Sequence, residues 1–109
     1  MPKLKVVKIQ FKKSFYNRLS QHLSYLSEHS PKAERLFKSG LFSEISKIHE
    51  HPYKNRKSIF FNDTEIRDLA FKKHVIVYKI ESNRIIVFGF LKHQQNPTAE
   101  FKPQMQLLD

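Results

Sequence analysis

Residues 63 to 97 hold the side chains best suited to acid–base or phosphate chemistry. Three short apolar blocks in this stretch are separated by turns, and the basic and imidazole groups lie at the ends of the blocks. Cleavage of a phosphodiester without a metal needs a base, an acid and cations that stabilise the phosphorane charge. Histidine can act as either base or acid because its ordinary pKa is about 6.5. The candidate catalytic residues are therefore Arg67, His74 and His93, with Lys72, Lys73 and Lys92 as binding cations.

Each of these positions also has a purely structural interpretation. The two lysines at 72 and 73 can be solvated turn residues, and His74 can be a strand-end residue. His93 either carries function or marks where the sheet stops, although residues beyond a rigid strand commonly bind ligands. Gln95, two positions later, joins the binding candidates for the same reason.

A second basic group precedes the apolar blocks. Together with the N-terminal lysines 3, 5, 8, 12 and 13 and Arg18, it could form a surface that follows a phosphate backbone. It could equally be a solvated strand edge, where lysines discourage aggregation between strands. Its members are Lys54, Arg56 and Lys57.

Metal and cofactor motifs are weak in this sequence. His49 and His51 are two positions apart, a spacing that points two rings on a helix in different directions. The chain has no cysteine, and its two glycines form no phosphate-binding loop. We therefore expect neither a metal nor a cofactor.

Charge is the strongest global property of the chain. Twenty Lys and Arg residues oppose ten Asp and Glu residues, which gives a formal net charge of +10 in 109 residues. This favours an anionic partner, although a merely lysine-rich protein would have the same composition. No apolar run approaches the ~20 residues needed to cross a bilayer, and the N-terminal alternation does not resemble a signal peptide. A cytoplasmic protein without membrane contact is expected.

The periodicity of apolar residues predicts one α+β domain. Ser14 is the expected N-cap of the first helix, and Ser30-Pro31 the expected start of the second. Gly40 either permits a close contact of that helix or is a tolerated weak spot. The last two strands are apolar on both faces, as central or partner-covered strands are. The predicted elements are a strand at 5–11, helices at 14–29 and 31–50, and strands near 65–71, 74–81 and 84–91.

The order and spacing of four short motifs resemble the RelE/ParE superfamily of bacterial toxins. The motifs are Ser30-Pro31-x-Ala33, Ile66-Arg67-Asp68-Leu69, Val77-Tyr78-x-Ile80 and His93-x-x-x-Pro97. The resemblance implies an N-terminal strand, a helix hairpin and a three- to four-stranded antiparallel sheet. It places the toxin domain at residues 1–97 and leaves 98–109 as a tail that is frayed or docked on a partner.

Such toxins are made beside an antitoxin that wraps them, so the resemblance implies an acidic antitoxin and a hetero-oligomer with it. One branch cuts messenger RNA in the ribosome, and the other poisons DNA gyrase. Val75 and Ile76 stand where the ribonuclease branch often has an arginine, while His93 and Pro97 fit the ParE-like ending. These details favour a protein target such as DNA gyrase. The alternatives are a ribosome-dependent mRNA endonuclease and a basic binding module without toxicity.

Overall fold

Residues 8–92 are described by the computed structural model of the chain, and their element order confirms the predicted α+β fold. Both helices precede three of the four strands, and a short 3-10 helix at Lys47–Glu50 extends the second α-helix. The elements are β1 (Lys8–Phe11), α1 (Lys13–His29), α2 (Pro31–Ser46), β2 (Ile66–Phe71), β3 (His74–Ile80) and β4 (Arg84–Lys92).

The four strands form one sheet in the order β1-β4-β3-β2. The last three strands are antiparallel neighbours, as predicted. β1, however, pairs in parallel with β4, so the expectation of a purely antiparallel sheet is corrected to a mixed one. Parallel neighbours need a long crossover connection, and the helices and loops between β1 and β4 provide it.

β3 and β4 are the two central strands, and both of their faces are buried. One face packs against the helix hairpin, where Phe15, Leu41 and Ile45 contact the sheet core. The other face is a smaller cluster of Ile66, Val75, Val77, Phe88 and Leu91, against which Phe60 and Phe61 pack. Both faces of these strands are apolar because both are covered, as the sequence predicted for central strands.

A β-bulge in β4 changes which side chains reach the helices. Val77 pairs with Gly89 while its neighbour Tyr78 pairs with Val87, which leaves Phe88 as the extra residue. Such an insertion shifts the alternation of side chains by one position. Val87 before the bulge and Phe90 beyond it consequently both belong to the helix-side core.

Ser14 has a different role from the predicted one. α1 begins at Lys13 after Lys12, which makes no side-chain capping bond. The Ser14 hydroxyl instead donates to the carbonyl of Phe88, the bulge residue, at 2.8 Å. The predicted cap was wrong because the helix starts one residue earlier, where the Lys12 carbonyl accepts the amides of Phe15 and Tyr16. Ser30 does cap α2, accepting from the Ala33 amide at 3.1 Å.

The two glycines lie at close approaches. A Cβ atom on Gly40 would be 3.2 Å from the end of the Phe71 ring, so α2 packs tightly on β2 at this point. Of the two predicted roles of Gly40, the structure confirms the close contact. A Cβ atom on Gly89 would be 3.0 Å from the Cβ atom of Val77. The second contact involves a short branched side chain inside the sheet and cannot relax easily.

We expect Gly89→Ala to lower the free energy of unfolding by about 1–3 kcal/mol, because the added methyl group overpacks the sheet against Val77. Gly40→Ala is the control. The Phe71 ring can move, and alanine favours a helix over glycine by about 1 kcal/mol, so this variant should lose much less stability. Urea unfolding of both variants measures the difference, and equal losses would contradict the assigned contacts.

Candidate functional site

The turn between β2 and β3 consists of two lysines in the left-handed region. Lys72 has a φ of 43° and Lys73 a φ of 64°. Two successive positive φ values match the tight hairpin turns that asparagine and glycine usually occupy. Both lysines are exposed, and the Lys72 ammonium lies over the Phe71 ring, 5.7 Å from its centroid.

His74 begins β3 immediately after this turn and lies opposite Lys92 in the register of β4. Only 8% of the residue is exposed. Its ring stacks on Phe90 at 4.8 Å between centroids and lies 4.4 Å from the ring of His22 on α1. Its Nδ1–H donates to the carbonyl of Lys72 at 3.1 Å, because a carbonyl can only accept.

The pKa values of both histidines are lowered. Burial is the main cause at His74, where the bond to the Lys72 carbonyl opposes the effect and the charges of His22 and Lys92 add to it. Burial also lowers the pKa of His22, again helped by Lys92. The two imidazoles are therefore neutral at neutral pH, and their surroundings are electropositive.

Arg67 lies on β2 and ties down the loop that precedes the strand. Its Nε donates to the carbonyl of Thr64 at 2.9 Å, and one terminal nitrogen donates to the carbonyls of Tyr53 and Asn55 at 3.2 and 3.0 Å. The guanidinium also stacks on the Tyr53 ring at 4.9 Å. The Tyr53 hydroxyl in turn donates to Glu65. Arg67 thus organises the backbone of the loop.

Arg67 and His74 share a face of the β2–β3 hairpin but lie at opposite ends of it. Arg67 is opposite Tyr78, whereas His74 is opposite Phe71, four positions further along β2. At about 3.3 Å per residue, this places the two backbones ~13 Å apart. The structure therefore does not bring these two candidates together. His93 and Gln95 lie outside the described residues.

The basic loop lies along the outer edge of β2. The Ser58 amide donates to the carbonyl of Ile66 at 2.8 Å, and the Asp68 amide donates to the carbonyl of Arg56 at 3.1 Å. Lys57 lies opposite Arg67 in this pairing, and the side chains of Lys54 and Lys57 are exposed. These cations are at the other end of the hairpin from the lysine turn.

Asp68 lies on β2 and is only 3% exposed. It was not among the functional residues predicted from the sequence, where it occurs only as part of the Ile66–Leu69 motif. One carboxylate oxygen accepts the Ile59 amide at 3.1 Å and lies 3.6 Å from Arg56, while Oδ1 accepts no hydrogen bond from residues 8–92. Burial raises its pKa, against the opposing effects of Ser58, Ile59 and Arg56. The sequence signal that could have identified Asp68 is its position as the one acidic residue within the β2 strand.

Within residues 8–92, no three His, Asp or Glu side chains are grouped in a way that could hold a metal ion. No helix in the same range is long and apolar enough to span a membrane.

The family model of the ParE toxin, described as the toxin of the type II toxin–antitoxin system parDE, matches residues 9–97. The chain belongs to the ParE toxin family. This confirms the resemblance to the RelE/ParE superfamily and identifies a type II toxin, for which the partner is an antitoxin protein. The search of curated proteins found no match.

In this ParE-family chain, we expect Arg67→Gln to lower the free energy of unfolding by about 2 kcal/mol, because three carbonyls lose a charged donor. Protease cleavage between residues 51 and 65 should become faster. Arg84→Gln is the matched control, since that guanidinium bonds Glu81 and Gln10 at the surface. Arg84→Gln should lower the free energy of unfolding by less than about 1 kcal/mol. Equal losses in the two variants would contradict the proposed role of Arg67 in holding the loop.

The histidine pair should make stability depend on pH. Because the folded-state pKa values of His22 and His74 are below the ordinary 6.5, the unfolded chain binds more protons just below that pH. The free energy of unfolding should therefore fall as the pH drops below about 6.5, until the folded-state pKa values are passed. Urea unfolding at stepped pH measures this.

His74→Phe, which retains a ring against Phe90, should weaken this pH dependence. An unchanged slope in that variant would show that His74 is not the titrating group. His49→Gln is the control because His49 is exposed and bonds only the Ser46 carbonyl within the described part of the chain.

Proposed function

We propose that this ParE-family toxin arrests bacterial growth in the cytoplasm by acting on a protein target such as DNA gyrase, and that a cognate acidic antitoxin neutralises it. The observation that carries the proposal is the separation of Arg67 from His74. Their side chains are engaged in structural contacts at opposite ends of the β2–β3 hairpin.

A metal-free nuclease needs its base, acid and cation around one phosphate. The Arg67 guanidinium already donates to three loop carbonyls. His74 is sealed between Phe90, Phe37 and His22, and its Nδ1 is occupied by the Lys72 carbonyl. The contacts of Arg67 and His74 therefore fit a role in stabilising the fold better than a role in cleavage.

A ribosome-dependent mRNA endonuclease is the second candidate function, because two neutral imidazoles lie 4.4 Å apart beside Lys92. Neutral histidine can accept a proton near neutral pH. In this case His74 would be the base and Lys92 would bind the phosphate.

The antitoxin part of the proposal is supported by charge and by exposed apolar surface. The chain carries a formal net charge of +10, which an acidic segment would offset. Tyr25 on α1 and Leu36 on α2 are both 58% exposed. Such side chains suit a partner that binds the helix hairpin, and the two proteins would form a hetero-oligomer.

We expect induction of the chain alone in a bacterial host to arrest growth, with no cuts found by primer extension across translated messages. His74→Phe should arrest growth equally, because it preserves the ring packing and the proposed mechanism uses no imidazole. Co-expression of an acidic protein encoded beside the toxin should restore growth.

Translation-dependent cuts in phase with codons, lost in His74→Phe, would establish the endonuclease and overturn the proposal. Absence of arrest, together with gyrase that is unaffected in vitro, would leave a non-toxic binding module on the same fold.

A further inference from the structure

Three exposed lysines come together at the end of the sheet nearest the histidine pair. Lys72 and Lys73 form the β2–β3 turn, and Lys92 lies opposite His74 on the neighbouring strand. Directly paired residues on antiparallel strands are about 5 Å apart, so Lys92 and Lys73 project from adjacent points. None of the three takes part in the ion pairs found between residues 8 and 92.

The backbone at this point is strained. Left-handed conformations cost a residue with a side chain about 1 kcal/mol or more, and here two successive lysines adopt them. Strain of this kind is retained mostly at functional sites. The turn therefore holds two cations in a fixed position although asparagine and glycine would fit it more easily.

A row of aromatic rings runs from His74, the strand partner of Lys92, along α1 to the exposed Tyr25. The His22 ring contacts His74 at 4.4 Å and lies 6.2 Å from Tyr25, nearly parallel to it at 28°. Tyr25 contacts His29 at 4.7 Å, and the Nδ1–H of His29 donates to the Tyr25 carbonyl at 3.0 Å. Tyr25 is 58% exposed even though both histidine rings contact it, so more than half of the residue remains accessible to a ligand.

We propose that this end of the molecule, defined by Lys72, Lys73, Lys92, His22 and Tyr25 and called the basic end, binds a single strand of nucleic acid without cleaving it. The lysines contact the phosphates, and a base stacks on Tyr25. This ligand goes beyond the proposed function, which concerns a protein target.

The rings favour a nucleic acid over an acidic protein segment. Non-specific single-strand binding combines a cationic track with exposed aromatic rings, and each stacked base contributes about 1–3 kcal/mol. A purely acidic segment such as polyglutamate has no ring to stack on Tyr25 and would use the lysines alone. Only one carboxylate, Glu28, lies on α1, so this helix adds little negative charge near the proposed track.

The test is fluorescence polarisation of the full-length chain with labelled oligothymidylate and oligouridylate of about 10 nucleotides, a length within the usual site sizes. We expect both strands to bind and to remain intact on a denaturing gel. Tyr25→Ala should weaken binding about tenfold, whereas Tyr25→Phe, which keeps the ring, should bind like the unaltered chain.

The lysines are tested through the dependence of affinity on salt. Lys73→Gln should reduce the slope of log affinity against log salt by about 0.7, the value for one phosphate contact on a single strand. Lys79→Gln removes the same charge near the far end of β3, where Lys79 pairs with Ile66, and should leave the slope unchanged. Thermal unfolding of each variant confirms that the fold is retained.

Three results would overturn the proposal. Equal slopes for Lys73→Gln and Lys79→Gln would show only a general effect of net charge. Polyglutamate that competes as well as the oligonucleotides, with no effect of Tyr25→Ala, would identify a site for an acidic protein segment. Cleavage of the strands would identify a nuclease. None of these outcomes depends on whether the toxin acts on gyrase.

Discussion

The structure depends on the need to cover both faces of β3 and β4. These central strands carry apolar side chains on each face, and exposure of either face would leave a large hydrophobic patch. The helix hairpin covers one face. On the other face, Phe60 and Phe61 from the loop before β2 pack against the smaller cluster. The loop must therefore be held in place, although it has almost no regular secondary structure of its own.

Two charged residues of β2 hold that loop from opposite faces of the strand. Arg67 donates to loop carbonyls on the helix side, and the buried carboxylate of Asp68 accepts the Ile59 amide on the other side. Because buried backbone polar groups need partners, such side-chain bonds replace some of those that a regular strand would make. These two charged side chains of β2 therefore maintain the fold. What remains exposed at the other end is cationic and aromatic surface.

Much of the fold was predictable because periodicity is a local property. The order of strands and helices followed from the spacing of apolar residues, and the central position of β3 and β4 followed from their two apolar faces. Ser30-Pro31 was correctly identified as a helix start because its capping bond spans three residues. The parallel pairing of β1 with β4 and the bond from Ser14 to Phe88 were not predictable, because each joins residues more than 70 positions apart.

The candidate site was less predictable than the fold, for the same reason. Residue types indicated Arg67 and His74, but only the strand register shows that they lie at opposite ends. The contact of His22 with His74 joins a helix to a distant strand. The one local signal was the helical spacing of His22, Tyr25 and His29, which places three rings along one side of α1 but does not show that His22 contacts His74.

We propose that this ParE-family toxin acts on a protein and not on RNA. The most direct measurement is supercoiling of relaxed plasmid by purified DNA gyrase in the presence of the purified chain, with translating ribosomes and messenger RNA tested in parallel. We expect gyrase to be inhibited while the messenger RNA stays intact. Unaffected gyrase at an excess of the chain, together with messenger RNA cut on the ribosome, would contradict this proposal.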